Sequence, residues 1–204
     1  MIRAVVALIG VLAFAACTPT MNAPTRSVAL AQGEVIATSP AGYCVDDVAS
    51  HPERDFAILA PCATLGANSA APDLVGFATV QVGPADSGSI AVDELALRDY
   101  LITKDGARLL SQTGNAEAVD ILSTQAFDSR VMIHFTDVGP PPMAGLQNEE
   151  WRAFTNVNGR LVTIGVRGLA MAPLREGPGA TLLKLVLAGI QAAVTDEAHD
   201  TPDG

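Results

Sequence analysis

Basic residues are scarce in this 204-residue chain, where 12 Lys and Arg stand against 22 Asp and Glu for a net charge of −10. With a sequence pI near 4.5, nucleic acid and anionic membrane surfaces are excluded as main partners, because both are held through basic patches. Long apolar runs are missing as well. Ala4 to Ala16 is an unbroken apolar stretch of thirteen residues, short of the roughly 20 that a membrane-spanning helix needs. Ala180 to Thr195 falls short too and is interrupted by Lys184 and Gln191. The hydrophobic content of 49% and mean hydropathy of +0.32 therefore come from alanine and the N-terminal run, not from an embedded chain. Catalytic signatures are equally thin. There is no G-x-S-x-G elbow, and Gly76, Gly83 and Gly88 are too scattered to cradle a phosphate. Asp120 and Asp128 have no companions at metal-ligand spacing. No cofactor and no metal ion is expected. Whether the chain is an enzyme stays open, with the balance against it.

What is present begins at the N-terminus. Arg3 precedes the apolar run, which ends in Ala15-Ala16-Cys17. A charged start, a short apolar stretch and small residues at its end suit a signal peptide. Small residues directly before a cysteine resemble the lipobox of bacterial lipoproteins, with Phe14 where that family usually has Leu. The resemblance implies cleavage after residue 16 and diacylation of Cys17, which then anchors the protein in a lipid bilayer. An ordinary cleaved signal with an incidental cysteine is the alternative. Thr18, rather than Asp, after the cysteine implies the outer membrane by similarity to enteric sorting rules. The expected organisation is a signal peptide over 1–16, a lipidated Cys17 with a flexible tether over 17–33, one domain over 34–196, and an acidic tail over 197–204.

Only two cysteines remain once Cys17 is taken. Cys44 and Cys62 lie on two short apolar runs joined by a loop centred on Pro52-Glu53. In an exported chain such a pair reads as a structural disulfide. A metal site built from His51 with Asp46 or Asp47 is the competing reading. His51, Ser50 and Asp47 also sketch a hydrolase triad, but three residues in one short loop cannot take up nucleophile, base and orienter geometry. His134 with nearby Asp137 could form a general base, although a surface or half-buried histidine is the simpler expectation.

The strongest local signal is Glu149 to Arg167, EEWRAFTNVNGRLVTIGVR. Asn158-Gly159 between two alternating runs predicts a two-residue hairpin with a type I′ turn. That turn sets Val157 against Arg160, Thr155 against Val162, Ala153 against Ile164 and Trp151 against Val166, one apolar face. The other face pairs Glu150 with Arg167 and Phe154 with Thr163, which suits a sheet surface. Val119 to Phe127 and Arg130 to Val138 predict a second hairpin, with Val131, Ile133 and Phe135 sharing a face. Short strands are expected at 34–37, 43–46, 55–62 and 74–82. Helices are expected at 92–103, at 107–112 and at 180–195, the last heavily buried. Hairpins rather than alternating β-α units point to an α+β fold, a mostly antiparallel sheet with helices on its faces.

The succession DELALRDYLITKDGARLL, a strand pair, EEWRAFTNVNGRLVTIGV and a closing apolar helix resembles the PsbP-like α/β/α sandwich. It is also similar to small bacterial lipoproteins of that layout. The resemblance covers about residues 34–196, rests on element order, and lacks the Cys44–Cys62 pair. It implies an assembly or accessory role, so the expected function is a membrane-anchored, periplasm-facing lipoprotein with a non-catalytic binding or scaffolding domain and an envelope protein as partner. The alternative is a small periplasmic hydrolase or ligand-binding protein with its site between sheet and helix. Three convergent polar side chains in one pocket would favour that alternative, and a flat or purely apolar groove would favour a scaffold.

Overall fold

The structure is a computed structural model that describes residues 24–91 and 93–194. In chain order it holds β1 (Ser27–Leu30), β2 (Val35–Thr38), β3 (Tyr43–Val45), β4 (Phe56–Pro61), β5 (Phe77–Val82), α1 (Glu94–Leu101), α2 (Lys104–Leu110), β6 (Val119–Phe127), β7 (Arg130–Asp137), β8 (Glu149–Val157), β9 (Arg160–Arg167), α3 (Glu176–Ala188) and β10 (Ile190–Ala192). Seven strands form one sheet in the order β3-β4-β5-β9-β8-β7-β6, and β1-β2-β10 form a second. Every pairing between these strands is antiparallel. The fold class is α+β, as the hairpin pattern requires.

The β8–β9 hairpin forms with the expected register, from Val157↔Arg160 through Trp151↔Val166. Asn158 and Gly159 take φ values of 51° and 73°, the left-handed pair that a type I′ turn demands. Its apolar face is the centre of the main core. Trp151, Ala153, Val162, Ile164 and Val166 are at most 2% exposed and pack with Leu182, Leu183 and Val186 of α3. Gly179 of α3 lies so close to the Trp151 ring that a Cβ there would overlap it. The absence of a side chain lets helix and indole meet.

Three expected boundaries move. Residues 27–33, expected as tether, belong to the domain, because β1 pairs with β2 and buries Leu30 completely. Glu34 then ties this segment to the main hairpin through Arg160 Nε at 2.6 Å, and its carboxylate raises the Arg160 pKa. The closing helix runs over Glu176–Ala188, with Pro178 in its first turn where a missing N–H costs nothing. It buries one stripe, Gly179, Leu182, Leu183, Val186 and Leu187, and leaves Leu185 half exposed. Beyond Gly189 the chain turns into β10 against β2, where a helix had been expected. Lys104 to Gly106, expected to interrupt the helical region, open α2 instead, since the Thr103 hydroxyl accepts the Gly106 N–H and caps it.

Tyr43 locks the start of β3 into this core. Its hydroxyl donates to Leu74 O at 2.7 Å and accepts from Gly76 N at 3.0 Å. Burial pushes the phenol up to about 12 from 10.0, offset in part by the Gly76 N–H. The folded state thus holds this proton more tightly than the unfolded chain does, so its stabilisation is present below pH 10 and is lost as pH rises towards 12. In Tyr43→Phe, equilibrium unfolding at stepped pH should show a flatter decline over that window. It should also show a loss of about 1–3 kcal/mol at neutral pH from the two unpaired backbone groups. An unchanged alkaline slope would contradict the assignment.

Candidate functional site

The seven-stranded sheet has one face under α3 and the small sheet, and another that is only half covered. Leu97 and Leu101 of α1 and Leu110 of α2 pack on Val131, Ile133 and Phe135 of β7. Helices of 8 and 7 residues are about 10–12 Å long, while seven strands spread over about 29 Å. The remainder of that face, over β4, β5, β9 and β8, is a groove. Period-2 alternation places Phe77, Thr79 and Gln81 of β5 beside Arg167, Gly165 and Thr163 of β9. Arg152 of β8 comes next, also opposite Gly165. Phe56 closes one side, and Gln112, Pro142 and Leu146 form the other rim around a cavity of about 240 Å³.

Gly165 is the low point of the floor. A Cβ there would stand 2.9 Å from both Glu150 Oε1 and Thr79 Oγ1, so the missing side chain gives Glu150 its place. Glu150 and Arg167 are 3% and 5% exposed. The Arg167 guanidinium binds Glu150 Oε2 through Nη2 and donates from Nη1 to Gln147 O at 3.0 Å and Asn148 O at 3.2 Å. Gln147 is pinned in turn by the Leu174 N–H at 2.7 Å. Arg152 Nε donates to the second Glu150 oxygen at 2.6 Å, and its guanidinium lies 5.1 Å from the Phe135 ring centre. Arg152 Nη1 makes a long contact of 3.4 Å to Leu109 O. One carboxylate therefore orients two guanidinium groups on the floor of an otherwise largely apolar groove. The Glu150–Arg167 pair was expected on the sheet surface; it is buried instead, because α2 and the segment around Pro142 and Leu146 raise walls around it.

The residues singled out from sequence fall elsewhere. Cys44 of β3 and Cys62, the residue that follows β4, are joined in a disulfide with Cα atoms 4.9 Å apart, near the ends of two paired strands as expected. Closing that loop is worth roughly 3 kcal/mol through restriction of the unfolded chain. Cys17 lies outside the described residues. His51 contacts Glu53 at 3.3 Å, while Asp46 accepts the Val48 and Ala49 N–H groups and Ser50 bonds the Ile58 backbone. The loop is thus held by local turn contacts and assembles neither triad nor metal site. Among the described residues no group of three His, Cys, Asp or Glu is placed to hold a metal.

His134 is neither superficial nor partnered by Asp137. It is 6% exposed, stacked on Trp151 with centroids 4.5 Å apart, and its Nε2 is 2.6 Å from Glu149 Oε1. Asp137, three residues on, points to the opposite face and accepts the Gln112 and Gly139 N–H groups. The strand period alone requires that separation. No local motif marks Glu150, Arg152 and Arg167 as a site. The signal that bears on it was Gly165, since an isolated glycine within a strand marks a close approach.

No family model matches the chain, and no curated protein sequence does. Solved structures do. A mutant of the protein Mog1 is similar at 12% identity and a TM-score of 0.52, over 83% of this chain and 96% of that one. The Saccharomyces cerevisiae Ran-binding protein Mog1p gives 12% identity and a TM-score of 0.51, over 82% and 94%. The fold is shared with Mog1. A cyanobacterial PsbP from Synechocystis sp. PCC 6803 is also among these structures, at 14% identity and a TM-score of 0.45, over 88% and 98%. Likeness at such identities speaks to fold and not to ligand.

Proposed function

We propose that this chain is an exported lipoprotein, anchored in a bilayer through acylated Cys17, whose domain binds a ligand in the sheet groove without catalysing a reaction on it. The observation that carries the binding role is the Glu150–Arg152–Arg167 cluster at the groove floor. A buried ion network of this kind adds little to stability compared with apolar packing of equal volume. Its value lies in presenting fixed polar groups inside an apolar concavity, which is how small-molecule sites are built. Convergent polar groups favour ligand binding over a purely scaffolding surface. As for a hydrolase, the lining residues bring the Thr79 and Thr163 hydroxyls to the groove but no imidazole, and His134 points to the other face. Mog1p is described as Ran-binding; at this identity the likeness supports a binding use of the fold, not that partner.

The leader and Ala15-Ala16-Cys17 support the anchor, and the Cys44–Cys62 disulfide suits the oxidising compartment that export reaches. Residues 18–23 are all that separates Cys17 from the described domain. At full extension that gap reaches at most about 25 Å, less than half the span of a tether to residue 33. The groove would work close to the bilayer, with the outer membrane favoured by Thr18. Cys17→Ser should move the protein from the membrane fraction to the soluble envelope fraction while its melting temperature stays the same. A Ser variant that still sediments with membranes would refute the anchor.

A further inference from the structure

We infer that the groove takes a small organic monoacid, its carboxylate on the outer edge of Arg152 and its apolar body against Phe56, Phe77 and Leu146. This rests on the groove being a binding site, and it follows from a count of charges and donors. The lining residues include two arginines and one glutamate. Both Glu150 oxygens are engaged, and both terminal nitrogens of Arg167 are held, by Glu150, Gln147 and Asn148. Asp137, a further buried acid on that face, is committed to the Gln112 and Gly139 N–H groups. Arg152 is the one whose terminal edge is free. Its Nε is fixed by Glu150, its Nη1 contact to Leu109 O is long at 3.4 Å, and its Nη2 has no hydrogen-bond partner among the described residues.

Those two terminal nitrogens are the edge of a planar fork that matches a carboxylate with two parallel hydrogen bonds. Glu150 on one side and Phe135 against the guanidinium hold the fork in one plane before any ligand arrives. Among the residues that line the cavity the surplus is a single positive charge, which compensates a monoanion. A dianion would bring its second charge towards Glu150, which is almost fully desolvated. Phe56, Phe77, Pro142 and Leu146 then require an apolar body, while Thr79 and Thr163 can meet one polar substituent. A cavity of about 240 Å³ lies below the usual range for small-molecule sites, roughly 300–1,000 Å³. The acid is therefore small, of the order of a medium-chain or aryl-alkyl carboxylic acid.

Octanoate and octanol separate the carboxylate from the body. Calorimetric titration of the full-length exported Cys17→Ser protein, free of detergent, should show octanoate binding at least about tenfold tighter than octanol, the worth of a charge-assisted pair. Arg152→Gln should bring the ratio of the two affinities down to about one. Arg152→Lys, which keeps the charge and loses the fork, should recover part of the difference. Thr163→Trp, which fills the groove, should abolish both. Equal affinity for the two probes, both blocked by Thr163→Trp, would leave the groove as a binding site and overturn the acid. Octanoate binding that Thr163→Trp does not touch, or no binding of either probe, would overturn the acid and the groove together. The ratio of affinities in the Cys17→Ser parent depends on no groove variant folding.

Discussion

Glu150→Ala is expected to destabilise the protein by about 3–5 kcal/mol, since it strands two guanidinium groups that share one carboxylate. Arg167 would suffer most, being 5% exposed with no acid but Glu150 among its hydrogen-bond partners in the described residues. The companion double variant tests the cause. Glu150→Ala/Arg167→Met removes both charges and should regain a large part of the loss, because the penalty belongs to the unpaired ion and not to the missing contact. Urea unfolding of the wild type, the two single variants and the double closes the cycle. Additive losses would mean that the two residues are not coupled, and the groove floor would not be the network described.

Trp151→Ala should cost a similar amount, about 3–5 kcal/mol, through the cavity it opens. The indole is 2% exposed and sits between β8, Gly179 of α3 and the stacked His134 ring. Its Nε1 has no hydrogen-bond partner in the described structure, so its contribution is packing rather than polarity. Trp151→Phe should therefore retain most of the stability that Trp151→Ala loses. Both follow from thermal and urea melts. A Trp151→Ala protein that melts within a degree or two of the parent would place the ring outside the core and invert the hairpin's faces.

The hairpin was legible because its instructions are local. Two residues that tolerate positive φ fix the turn, and the two-residue period then fixes every side chain's face without reference to the rest of the chain. The same holds for β6–β7, whose boundaries follow the alternation closely. β1 was not legible. Ser27–Leu30 is four residues long in a Thr-, Pro- and Ala-rich stretch, and its turn at Ala31-Gln32 uses positive φ on two residues that rarely take it. Only the burial of Leu30 against the main core makes the strand worthwhile. β10 was hidden for a related reason. Ile190–Ala192 continues an apolar helical pattern, and it becomes a strand because β2 offers an unpaired edge beside it.

What the sequence determined by itself was the pairing of Cys44 with Cys62, the α+β class and the register of the central hairpin. Each depends on spacing within a few residues or on simple arithmetic. The tertiary structure decided the site. Glu150 opposite Arg167 reads as an ordinary surface pair until one knows how much of the sheet α1 and α2 cover. Two helices about 10–12 Å long cannot span seven strands spread over about 29 Å. Which strands stay bare depends on the order β3-β4-β5-β9-β8-β7-β6, which pairs β5 with β9 between residues 80 to 90 apart in the chain. No local pattern encodes that adjacency, and it is what turns a strand glycine, a glutamate and two arginines into the floor of a groove.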